Sequence, residues 1–178
     1  DKQIWDEFHA NWKNLTLECE ELLNKKMKNT MPYEDETQAE SYTGKTVETI
    51  THQRVGQNFF RKAILSSYQS TCCMSGIAIP QLLVASHIVP WAKSEEQRLN
   101  PRNGLCLSAI HDKAFDKGLI TVLPDMTIKI SNIVLIERDN EILAIIADLN
   151  NKKVTSPEKF APLPEFLKWH NENVFIGE

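Results

Sequence analysis

Apolar residues recur near helical spacing through residues 3–27: Ile4, Trp5, Phe8, Trp12, Leu15, Leu22 and Leu23, with acidic and basic side chains between them. This predicts an amphipathic helix whose apolar stripe is a packing face. The pattern stops at residues 29–45, where Pro32, Gly44 and many polar residues predict a linker or irregular arm. It resumes over residues 57–68, a second helix with Phe60, Ile64 and Tyr68 on one face and Phe59 and Ala63 beside them. Arg61 and Lys62 fall elsewhere on its surface.

Beyond this helix the period shortens. The run CCMSGIAIPQLLVASHIVP is apolar and β-branched around Gly76 and Pro80, and predicts short extended segments ending near His87. NGLCLS predicts a strand, and AIHDKAFDKG a short helix closed by Gly118. LITV and MTIKIS predict a hairpin around Pro124 and Asp125. IVLIERDNEILAII is read as another strand pair around Asp139 and Asn140. PEFLKWHNENVF predicts a terminal helix opening at Pro164. The order of elements is that of an α+β protein, with helices before a small central core and strands plus a helix after it.

Composition narrows the class. Of 178 residues, 42% are hydrophobic and 25% charged, as in ordinary globular proteins. No apolar run approaches the roughly 18 residues that a membrane span needs. The polar start, residues 1–12, does not read as a signal peptide, although the chain does not begin with methionine, as a fragment would not. Cys19, Cys72, Cys73 and Cys106 lack the Cys-x-x-Cys spacing of a zinc ribbon. They read as buried thiols of a reducing cytoplasm. The net charge of −4 is unevenly placed. Residues 1–51 carry 6 basic and 11 acidic side chains, residues 52–118 carry 8 and 4, and residues 119–178 carry 6 and 9. A polyanion would therefore be met in the middle segment.

The same segment holds the chemistry: SHIVPWAKSEEQRLNPRNGLCLSAIHDKAFDKGLI. A histidine at a strand end is followed by a polar loop, Asn103, a short strand and a helix carrying His111, Asp112 and Asp116. Phosphodiester hydrolysis needs a base that titrates near neutrality, which histidine provides. It also needs a divalent cation against the charge on the phosphate and the leaving oxygen. Carboxylate, carboxamide and imidazole can all bind such an ion.

Residues 52–123, and above all ASHIVPW…NPRNGLCLSAIHDKAFDKGLITV, resemble the HNH endonuclease family, in the branch with an NGL…H…FD.G ending. The terminal PEFLKWHNENVF is similar more loosely. The resemblance implies a ββα-metal core (motif 84–120) within a nuclease domain of residues 46–178, preceded by a helical segment and linker, 1–45. It assigns His87 as general base and Asn103 as the central residue that orients the base or touches the metal. The helical metal position falls on Asp112 by counting back from Phe115 and Asp116. His111 stays an alternative, as metal ligand or catalytic group. Register argues for Asp112, three residues before the core anchor Phe115 and so on nearly its face, with His111 rotated by roughly 100°. Many relatives carry a carboxylate immediately before the base, where this chain has Ser86.

The implied cofactor is a divalent metal, Mg2+ first and Mn2+, Ni2+ or Zn2+ as alternatives. The implied substrate is DNA, with RNA second. No membrane is expected. A homodimer, or a part in a larger bacterial restriction or defence protein acting in the cytoplasm, is the expected setting. Arg54, Gln57, Arg61, Lys93, Arg98 and Arg102 are candidate phosphate contacts. Asp116 reads as turn chemistry. Trp91 and Pro90 read as loop-shaping residues, and His9, His52 and His170 receive no role. Two rivals differ in class. A non-catalytic nucleic-acid-binding module would require loss of the base or the ligands, and His87 and Asn103 are both present. A hydrolase built on Cys73 or Cys106 lacks a marked oxyanion hole and an orienting third group.

Overall fold

The computed structural model describes residues 46–90, 93, 96–137 and 139–177. The predicted helix over 3–27 and the arm over 29–45 lie outside the described residues. The chain divides into two compact units, Asp1–Phe59 and Phe60–Glu178.

Helix α1 spans Thr46–Ser67, starting well before the predicted residue 57. Within the second unit its last turns bury Phe60, Ile64 and Tyr68, the face read from the sequence. A short 3-10 turn, Pro80–Leu82, leads into β1, Leu83–His87. β1 pairs antiparallel with β2, Gly104–Ser108, with Leu83 opposite Ser108 and His87 opposite Gly104. Helix α2, Ala109–Asp116, follows β2 directly. Two strands and a helix thus form the expected ββα core of an α+β fold.

Gly104 is required by packing. A Cβ there would lie 2.5 Å from Ile64 Cδ1 and 2.6 Å from Phe60 Cζ, so only a residue without one lets α1 close on β2. Gly118 is required by conformation as well as space. It closes α2 at φ +70°, and a Cβ would meet the Val174 carbonyl oxygen at 2.1 Å. Its own carbonyl accepts from Ile176 N–H at 2.9 Å, which docks the C-terminal segment beside α2.

The hairpin is present as β3, Ile120–Val122, and β4, Ile128–Ile130. The strand pair expected around Asp139 and Asn140 is not; that stretch is helical, α3 (Asn132–Ile136) and α4 (Glu141–Ala147). The reason is capping. Ser131 Oγ accepts from Ile133 N–H, and Asn140 Oδ1 accepts from Ile142 and Leu143 N–H, so each helix start has a side chain bound to its free donors. Asn140 is thus an N-cap rather than a hairpin turn residue.

Helix α5, Pro164–Asn173, opens at the proline as predicted. It carries His170, which received no role from sequence. His170 stacks on Phe115 (centroids 3.7 Å apart), Nε2–H donates to the Phe115 carbonyl at 3.2 Å, and Thr121 Oγ1 lies 2.9 Å from Nδ1. It is therefore a core histidine that ties α5 to α2 and β3. Burial outweighs the Phe115 hydrogen bond and brings its pKa down to about 4. Because the unfolded value is about 6.5, the unfolded chain binds this proton and the folded one does not. The contribution is complete above pH 6.5 and is lost as pH falls towards 4, amounting to ~3 kcal/mol. Urea midpoints from pH 7 to pH 4 should fall in wild type. The part due to this group should vanish in His170→Asn, and identical slopes in the two proteins would refute it.

Candidate active site

His87 ends β1 and is half-buried. Its Nε2–H donates to the Arg98 carbonyl at 2.8 Å. A carbonyl only accepts, so the neutral ring carries its proton on Nε2 and its basic lone pair on Nδ1. Burial lowers its pKa from the ordinary value, partly offset by the Arg98 hydrogen bond and the Asp112 charge. The His87 ring is thus neutral at pH 7, the form that a general base requires. The carboxylate of Asp112 on α2 is thus within electrostatic reach of this ring.

Asn103 is buried just before β2. Oδ1 accepts from Val89 N–H at 2.8 Å, while Nδ2 donates to the carbonyls of Val89 at 3.1 Å and Gln97 at 3.3 Å. Its backbone carbonyl accepts from Ile88 N–H at 3.0 Å. The central asparagine therefore clamps both sides of the loop that starts immediately after His87 and contains the Arg98 carbonyl. Asn103→Ala would leave a buried N–H and two carbonyls without these partners. A stability loss on the order of 3 kcal/mol and an activity loss of roughly 10²-fold from a displaced base are expected. Thermal melts and cleavage rates at a temperature where the variant is folded separate the two; wild-type turnover there would show that the clamp does not set the base.

On α2 the observed burial reverses the register argument. His111, Ala114 and Phe115 form the buried face, at i, i+3 and i+4, and Asp112 sits at the half-exposed edge. His111 Nδ1 lies 2.6 Å from Ser108 Oγ and 3.8 Å from Cys72 Sγ. Its Nε2 is buried without a hydrogen-bond partner, as is Ser86 Oγ. Asp116, read as turn chemistry, lies four residues after Asp112. Partial desolvation and the Asp112 charge raise its pKa, with Lys113 and Lys117 working against them. Lys113 and Lys117, which the motif does not mark, are both exposed on the same helix end. Their i+1 positions after two carboxylates were the available signal.

Three of the four cysteines fit the buried-thiol reading; Cys19 lies outside the described residues. Cys72, Cys73 and Cys106 are free and buried. Burial pushes Cys73 up and Cys106 up to about 11, which makes poor nucleophiles of the residues considered for a thiol hydrolase. Burial also acts to raise Cys72, but hydrogen bonds from His111, Ser75 and Met74 overcome it and bring the thiol to about 6. With no exposed surface, Cys72 is closed to a polymeric substrate.

Among the candidate phosphate contacts, Arg54 and Gln57 lie in the part of α1 that belongs to the first unit; the Arg54 side chain lies outside the described residues, and Gln57 is exposed. Arg61 donates to the carbonyls of Leu83 at 2.7 Å and Pro80 at 3.2 Å, holding the start of β1. Arg102 Nε donates to Ala161 O at 3.3 Å. Lys93 is exposed and Arg98 half-buried, both in the loop between base and clamp. Trp91 lies outside the described residues.

Among the described residues, no three His, Cys, Asp or Glu side chains are grouped to hold a metal ion. No described helix is long and apolar enough to cross a membrane.

The ββα core thus carries a strand-end histidine, a loop clamped by Asn103 and a half-exposed carboxylate on α2. Residues 72–123 match the family described as HNH endonuclease, which bears out the resemblance read from the sequence over this segment. The family consists of nucleases, so the match supports nuclease activity in general on a nucleic-acid substrate. No curated protein matches the chain.

Proposed function

We propose that the protein is a divalent-metal-dependent endonuclease that hydrolyses phosphodiester bonds of nucleic acid, DNA before RNA, with His87 as general base. The observation that carries this reading is the His87–Arg98 hydrogen bond, which leaves the basic lone pair on Nδ1 of a ring neutral at pH 7. His87 takes a proton from water as the water oxygen attacks phosphorus; the P–O bond to the leaving oxygen breaks, and that oxygen is protonated from solvent. Asn103 keeps the loop, and with it the Arg98 carbonyl, in place. Asp112 would hold the cation, with Asp116 beside it. When bound, the cation supplies neutralisation of charge on the phosphate and leaving group. Lys93, Lys113 and Lys117 are exposed to meet phosphates. The Arg54, Gln57, Arg98 and Arg102 contacts remain part of this proposal.

The test is digestion of supercoiled plasmid and of a matched RNA with Mg2+, Mn2+ or EDTA. Nicked or linear DNA with metal and intact plasmid with EDTA are expected. Binding without cleavage under every metal would favour the non-catalytic module.

A further inference from the structure

We propose that Phe60, outside the matched segment, is a positioning residue for the base: its ring holds the His87 imidazole in the orientation that meets the Arg98 carbonyl. The inference rests on the reading of His87 as base. The two rings are stacked with centroids 3.8 Å apart and planes 7° apart. Phe60 is itself buried, so its ring is a fixed surface rather than a mobile one. Its place depends on Gly104, which pairs with His87 across the sheet and lacks the Cβ that would meet Phe60 Cζ. The neighbouring Arg61 anchors the same helix to the first residue of β1 through the Leu83 carbonyl. Thus α1 holds β1 by its backbone at one end and by the base at the other.

A hydrogen bond in the ring plane does not by itself fix the tilt of an imidazole about that bond. A flat wall against the ring face removes the tilt, and the pair together set both side-chain torsions. His170 on Phe115 shows the same stacking in a fully buried structural role. His87 differs in being half-buried at the end of a strand, where orientation bears on chemistry.

The experiment is a double-mutant cycle of Phe60→Leu and His87→Ala, with kcat, KM and nucleic-acid binding measured separately. Phe60→Leu should lower kcat by roughly 10- to 100-fold with binding unchanged. It should have no further effect in the His87→Ala background, because it acts through that ring. Equal losses in both backgrounds, or wild-type kcat in folded Phe60→Leu, would overturn the positioning role while leaving the base intact. Full activity in His87→Ala would instead overturn the base reading. NMR of the wild-type protein gives an answer even if Phe60→Leu does not fold. Ring-current upfield shifts of the His87 protons and Phe60–His87 cross-peaks are expected, and their absence refutes the stack.

Discussion

Replacing His87 with alanine should reduce cleavage by about 10²- to 10⁴-fold, the range for loss of a positioned base, while nucleic-acid binding persists. The ring is half-buried and its bond to Arg98 joins a loop that Asn103 clamps independently, so the fold should survive. The pH profile supplies a second check. Burial lowers the His87 pKa, so kcat/KM in wild type should hold below the ordinary histidine value of about 6.5 before its acidic limb sets in. Asp112 works in the opposite direction, and Asp112→Asn should move the His87 titration, followed by NMR, further down. Wild-type-like turnover in His87→Ala would remove the base from the mechanism.

Asp112→Ala and His111→Ala should fail in different ways. Asp112 is half-exposed, so its loss should leave stability nearly unchanged and cut Mg2+-dependent cleavage by roughly 10²-fold or more. Mg2+ affinity in the presence of substrate should fall with it. His111 is buried against Ser108 and Cys72. Its removal leaves a cavity and an unpaired hydroxyl, and should cost on the order of 3 kcal/mol in stability. Below its melting temperature that variant should still respond to Mg2+. The reverse pattern, metal response kept in Asp112→Ala and lost in folded His111→Ala, would make the unpartnered Nε2 of His111 the donor and direct attention to Ser86 Oγ.

The reading of α2 shows where a one-dimensional pattern stops. Phe115 is the inward anchor that the spacing predicts, and spacing also puts Asp112, at i−3, near its face. But His111 at i−4 and Asp112 at i−3 flank the anchor on opposite sides, and spacing alone does not choose between them. The neighbours chose: Ser108 and Cys72 offer partners to an imidazole, whereas a carboxylate there would be desolvated. Likewise the runs around Ile133 and Ile142 suit either a strand or a short helix by apolar content. The caps at Ser131 and Asn140 decided it, a signal present in the sequence but equally readable as turn chemistry.

By itself the sequence determined the ββα core, the hairpin after it, the terminal helix at Pro164 and the order of His87, Asn103 and the α2 polar residues. These depend on local periods, on turn residues such as Gly118, and on a motif whose members lie within a short stretch of chain. Tertiary structure alone decided the partners: Arg98 for the tautomer of His87, Phe60 for its plane, Val89 and Gln97 for Asn103, and Thr121 with Phe115 for His170. The physical reason is that a side chain's ionisation and direction follow from burial and from the donors and acceptors around it. Folding brings those groups together from positions up to 55 residues apart, and no periodicity within one element records them.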